Sequence, residues 1–120
     1  MTEARSLHLT SYIAGEPVES EDLLEVFNPY NGQPVGTVTM GSPADAERAM
    51  AAAMGQTERQ TRYQRSQVLL DTREVLLKER EAIAQLIMSE SGLCLRETRY
   101  EVGRASDVLQ FAAMEALRDD

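Results

Sequence analysis

Apolar and polar positions change rhythm near Ser42, and that change divides the chain into a strand-forming front and a helical remainder. Before it, Val35, Thr37 and Thr39 alternate with Gly36, Val38 and Met40, the period of two that sends successive side chains to opposite faces of a strand. Leu24-Glu25-Val26-Phe27 reads as the strand ahead of it. The intervening Asn28-Pro29-Tyr30-Asn31-Gly32 holds an Asn-Gly step, whose residues both tolerate positive φ. These two strands are expected to pair antiparallel, with Pro34 at a strand start, where its missing N–H does least harm. Strand character begins at His8, and Tyr12-Ile13-Ala14 meets a turn expected at Gly15-Glu16-Pro17 before Val18. Residues 1–7 are expected to form a flexible leader.

After Ser42 the period lengthens to that of a helix. Ser42 suits an N-cap, Pro43 the first helical position, and Asp45 the positive end of the helix dipole. Ala46, Ala49, Met50 and Ala53 form a narrow small-residue face, and Gly55 is expected to end the helix. Thr61 followed by Gln64 reads as the next capping box. Val68, Leu69, Thr72, Val75, Leu76, Ile83, Leu86 and Ile87 then line one side as far as Gly92. The polar Lys78-Glu79-Arg80-Glu81 leaves open whether that stretch is one helix or two. A last helix is expected after Cys94, with Val102, Ala105, Leu109, Ala112 and Ala116 buried and one cation, Arg104, inside the pattern. Asp119 and Asp120 oppose the dipole of such a helix at its C-terminal end, so the helix and its parent chain are expected to continue past them. The architecture expected is short antiparallel N-terminal strands followed by three or four amphipathic helices.

Composition narrows the partners. With 42% hydrophobic and 27% charged residues, the 120-residue chain has the make-up of a globular domain or a piece of one. Twenty acidic against twelve basic residues leave a net charge of -8, which speaks against nucleic acid and against anionic membrane surfaces. No apolar run reaches the ~20 residues of a membrane span. Met1-Thr2-Glu3-Ala4-Arg5 lacks the apolar stretch of a secretory signal. A single cysteine cannot form an intramolecular disulfide, so the cytoplasm is the expected compartment.

Candidate chemistry is sparse. Cys94 lies between Leu93 and Leu95 and reads as a small buried hydrophobe, and the sole histidine, His8, is far off in sequence as a solvated strand-end residue. One cysteine and one histidine cannot make a zinc site, and no glycine-rich phosphate loop occurs. Glu90 reads first as a solvated carboxylate near a helix C-terminus, while that place disfavours an anion and so points also to a compensating cation. Arg104 has two readings, a one-turn salt bridge to Glu101, Glu97 or Asp107, or a clamp for phosphate or carboxylate, whose oxygens match the guanidinium fork.

Asn28-Pro29-Tyr30-Asn31-Gly32-Gln33-Pro34-Val35-Gly36-Thr37-Val38 resembles the Asn-Pro-x-x-Gly-x-x-x-Gly-x-Val motif of the aldehyde dehydrogenase superfamily. Tyr12-Ile13-Ala14-Gly15-Glu16 and the helix end at Glu90-Ser91-Gly92 fit the same family, and the likeness runs from Tyr12 to Asp120. Within it, Glu90-Ser91-Gly92-Leu93-Cys94, Tyr100-Glu101-Val102-Gly103-Arg104-Ala105 and Ala116-Leu117-Arg118-Asp119-Asp120 resemble the phosphonoacetaldehyde dehydrogenase branch. Leu93-Cys94 replaces the Lys-Pro common elsewhere in the family.

The resemblance implies an α/β parent fold in which residues 8–120 are the incomplete front of the cofactor-binding domain. It implies oxidation of an aldehyde, phosphonoacetaldehyde in that branch, to the acid. A cysteine thiolate attacks the carbonyl, the thiohemiacetal passes hydride to NAD or NADP, and water hydrolyses the thioester. It carries over three positions: the Phe27 carbonyl and the Glu90 carboxylate as holders of a monovalent cation, and Arg104 as a lining of the substrate tunnel. The reacting cysteine, the general-base glutamate, the oxyanion-hole asparagine and the cofactor loop are implied beyond Asp120, and Cys94 matches none of them. A 120-residue chain alone is therefore expected to be inactive, and its exposed apolar stripes favour a homo-oligomer. The alternative is a free-standing small helical interaction or dimerisation module without catalysis.

Overall fold

The structure, a computed structural model, describes residues 7–118. The expected leader lies outside them except for Leu7, and so do Asp119 and Asp120. The described residues fall into two compact units, one ending at Glu58 and one beginning at Arg59.

The first unit holds β1 (Leu7–Leu9), β2 (Tyr12–Ile13), β3 (Glu16–Pro17), β4 (Leu23–Phe27), β5 (Pro34–Thr39) and α1 (Pro43–Gly55). β4 and β5 pair antiparallel as the alternation predicts, with Leu24 opposite Val38 and Val26 opposite Gly36. A bulge after Val26 then sets Phe27 opposite Pro34. The Asn28 side chain organises the connection, its Oδ1 accepting from the N–H of Tyr30 at 2.9 Å and of Asn31 at 3.4 Å. Only Gly32 of the Asn-Gly step takes positive φ, at 67°.

Antiparallel pairing is not the whole sheet. β1 adds to the other edge of β5 in parallel, Leu7 opposite Gly36 and Leu9 opposite Val38, giving the order β1-β5-β4. Gly36 allows this, because a Cβ there would collide with the Leu7 carbonyl oxygen. The β2–β3 hairpin turns at Ala14-Gly15, one position earlier than expected, and Glu16 and Pro17 pair back onto Ile13 and Tyr12. Both turn residues have positive φ, 52° and 83°. That is the signature of a type I′ turn, whose twist suits a two-residue hairpin.

α1 begins as its sequence predicts, with Ser42 and Asp45 exchanging capping-box bonds and Pro43 in the first turn, and it ends at Gly55. Its small-residue face is not a buried one. No residue of α1 is buried, and Ala49, Ala52 and Ala53 face Tyr12, Ile13 and Ala14 across a crevice of about 430 Å³.

The second unit holds α2 (Arg62–Lys78), α3 (Arg80–Ser91) and α4 (Leu95–Glu115), with α4 packed along both partners. Thr61 and Gln64 form the predicted capping box. Glu79, with φ −94° and ψ 6°, breaks the long pattern into two helices, so four helices follow the strands among the described residues. The core is built of small side chains: Ser66, Ala84, Thr98, Val102, Ser106 and Ala113 are buried.

Two predicted stripes hold in part. Val68 and Val75 are 52% and 59% exposed, while the predicted Leu69 and Leu76 turn inward together with Ser66, Arg73 and Leu77. On α4, Ala105 is exposed while Thr98 and Ser106 are buried. Counting apolar residues alone misses such positions. A small hydroxyl fits a close helix contact once it bonds its own helix, as Thr98 Oγ1 does by donating to the Leu95 carbonyl at 3.1 Å.

Candidate functional site

α4 carries Arg104, the cation that the sequence places inside a helical pattern. Gly92, at φ 74°, ends α3 in the left-handed region that a residue with a Cβ enters at a cost. The chain re-enters helix after Cys94, which caps α4 without a side-chain hydrogen bond. Thr98, Val102, Ser106 and Ala113 fix the inward side of α4. The opposite side therefore presents Tyr100, Arg104, Val108 and Phe111, spaced by one helical turn each. Tyr100, Val108 and Phe111 are 67%, 62% and 66% exposed. An arginine thus stands in an apolar line that nothing in its own unit covers.

Of the three acids within reach by sequence, Glu101 is the one that pairs with Arg104. Its Oε1 lies 3.6 Å from Arg104 Nη1, with both side chains about half exposed (60% and 48%). That separation is beyond a good hydrogen bond and engages one nitrogen of the fork. Arg99 makes a contrast. Its Nε and Nη2 donate to Glu81 Oε2 and Oε1 at 2.9 and 2.7 Å, a bidentate clamp between the first turn of α3 and α4. The Arg99 hydrogen bond holds the Glu81 carboxyl below its ordinary 4.5, and Glu81 in turn raises Arg99. Sequence reasoning missed this pair, since its members are 18 positions apart and carry no local signal. Beside it, Leu77, Arg80, Arg99, Val102 and Gly103 line a crevice of about 130 Å³ that Arg104 does not enter.

Glu90 sits in the last turn of α3, exposed and without an ion pair among the described residues. The helix end around it is capped by serines: Ser89 Oγ donates to the Leu86 carbonyl at 2.7 Å and Ser91 Oγ to that of Ile87 at 2.6 Å. Phe27 belongs to the first unit, at the end of β4. The residue opposite it, Pro34, has no N–H to donate to its carbonyl. Cys94 is exposed rather than buried, because a helix-capping position leaves its side chain outside the packed face. His8 is exposed as expected, but it sits in the middle of β1 rather than at a strand end, with Nδ1 2.8 Å from Thr37 Oγ1.

Among the described residues, no group of three His, Cys, Asp or Glu side chains could hold a metal ion, and no helix is long and apolar enough to cross a membrane. What the helical unit can do is offer a guanidinium to an anion.

Residues 16–120 match the sequence profile of the aldehyde dehydrogenase family. A 3-sulfolactaldehyde dehydrogenase of Priestia aryabhattai is 33% identical over 108 residues, covering 89% of this chain and 23% of the relative. A malonate-semialdehyde dehydrogenase of Listeria monocytogenes is 33% identical over 110 residues, covering 88% and 22%. A crystal structure of betaine aldehyde dehydrogenase from Staphylococcus aureus in complex with NAD+ superposes with a TM-score of 0.82 at 31% identity, covering 90% of this chain and 23% of that one. The chain spans less than a quarter of the length of these relatives.

Proposed function

The chain belongs to the aldehyde dehydrogenase family, and from that premise we propose that it is the front segment of an enzyme that oxidises an anionic aldehyde, phosphonoacetaldehyde first among the candidates, to its acid. The observation that carries the substrate reading is Arg104, a guanidinium in an exposed apolar line whose partner engages only one of its nitrogens. A guanidinium offers parallel N–H donors to the oxygens of a phosphonate or carboxylate. Two relatives support the class, since 3-sulfolactaldehyde carries a sulfonate and malonate semialdehyde a carboxylate.

The cofactor in this reading is NAD or NADP, and the NAD+ held by the Staphylococcus relative supports the former. The described residues do not themselves fit a dinucleotide. Their three-stranded sheet runs β1-β5-β4 with one antiparallel edge, and no glycine-rich phosphate loop follows a strand. Cofactor binding and the reacting cysteine are therefore assigned to the part of the enzyme beyond this segment. This segment's share is to place Arg104 where the charged end of the substrate is held. Self-association and a cytoplasmic location belong to the same reading, the first supported by exposed Val68 and Val75 and the second by a lone thiol. Family membership favours the enzyme over a free-standing helical module.

The test is steady-state turnover by the full-length enzyme, followed as NADH formation, with phosphonoacetaldehyde, a carboxylate aldehyde and propanal. The anionic substrates should show the higher kcat/KM. A preference for propanal would remove the substrate class and leave the family in place.

A further inference from the structure

Resting on the reading of Arg104 as the anion clamp, we propose that Glu101 sets how much negative charge the substrate can carry. Glu101 lies one turn before Arg104 on α4, with Oε1 3.6 Å from Nη1. A partner that fixes a guanidinium looks different, as Arg99 shows: two short parallel bonds to both oxygens of Glu81. Glu101 reaches one nitrogen, at a distance too long to direct the fork, from a side chain about half exposed. It therefore does not hold Arg104 in place. What it supplies is charge: a carboxylate beside the clamp lowers the attraction an incoming anion feels and repels that anion directly.

These two roles predict opposite signs. Were Glu101 a splint, its loss would loosen Arg104 and raise KM for anionic aldehydes. As a source of field, its neutralisation lowers KM, and by more for each further unit of substrate charge. At a separation of ~7 Å and an effective dielectric of about 40–80, as for solvent-exposed groups, Coulomb's law gives about three- to eightfold per unit charge.

The experiment is steady-state kinetics on the full-length enzyme and its Glu101→Gln, Glu101→Asp and Arg104→Met variants, at low salt, with propanal, a monoanionic carboxylate aldehyde and phosphonoacetaldehyde. Glu101→Gln should lower KM for the monoanion and lower it further for the phosphonate, with little shift for propanal. Glu101→Asp, which keeps the charge, should follow the parent enzyme. The gain should shrink in 0.5 M NaCl, where the Debye length falls to ~4 Å. A rise in KM, a change of equal size for all three aldehydes, or no change would overturn the role of Glu101. If any of these occurs while Arg104→Met still penalises only the charged aldehydes, the clamp stands and Glu101 alone is misassigned. An Arg104→Met effect independent of substrate charge would remove the clamp itself.

Discussion

Glu90 and Glu81 are carboxylates on one helix with opposite prospects. Glu81 stands in the first turn of α3, where the dipole favours an anion, and Arg99 grips both its oxygens. Its carboxyl is held below the ordinary value mainly by that hydrogen bond, so the folded state favours the charged form. The stability this adds is present above about pH 4.5 and is lost as pH falls through the lower folded-state value. Urea midpoints of the parent chain should therefore fall below pH 4.5, and Glu81→Gln should flatten that fall. Glu90 has the reverse setting, at the negative end of α3 with no cation beside it among the described residues. In buffer free of Na+ and K+, Glu90→Gln should raise stability by about 0.3–1 kcal/mol. If the carboxylate helps hold a monovalent cation, added KCl should stabilise the parent protein and not the variant, a difference that thermal melts read directly. Glu90 was legible in the sequence because a glycine stop marks the helix end next to it. The Glu81–Arg99 pair was not, because sequence distance conceals which turns of two helices meet.

At the scale of elements, local chemistry was read well and packing less so. Ser42 with Asp45 and Thr61 with Gln64 cap their helices as predicted because each box closes within four residues. The parallel addition of β1 to β5 depends on a partner nearly thirty positions away, and the trace it leaves in sequence is Gly36. Gly36→Ala should push Leu7 off the sheet edge and cost about 1–3 kcal/mol, the usual penalty for overpacking. Hydrogen exchange would show it as lost protection at β1 and β5, with the amides of α2 to α4 unaffected. A variant as stable as the parent would mean that β1 does not hold its place through this contact. The helix stripes were right in most positions and failed at Val68, Val75 and Ala105 for a related reason. α2 carries two apolar lines and its unit buries one of them, while Thr98 and Ser106 take core positions that a hydrophobicity count assigns to larger residues. The exposed line through Tyr100, Arg104, Val108 and Phe111 was visible beforehand only as a single cation inside a helical pattern.

For the whole molecule, the family rests on a match from residue 16 to residue 120, and the relatives are more than four times longer than the stretch they share with it. The described residues supply a sheet and a capped helical unit that carries Arg104, and the proposed reacting groups are not among them. A scaffold role of this kind shows itself in substrate selection more than in bond making. Arg104→Met in the full-length enzyme tests it most directly, because the swap removes charge and fork from a side chain 60% exposed and leaves the α4 core alone. The account predicts that KM for phosphonoacetaldehyde rises at least tenfold, the loss of roughly one charge-assisted bond, while KM for propanal moves less than about twofold. Equal changes in KM for the two aldehydes would contradict it.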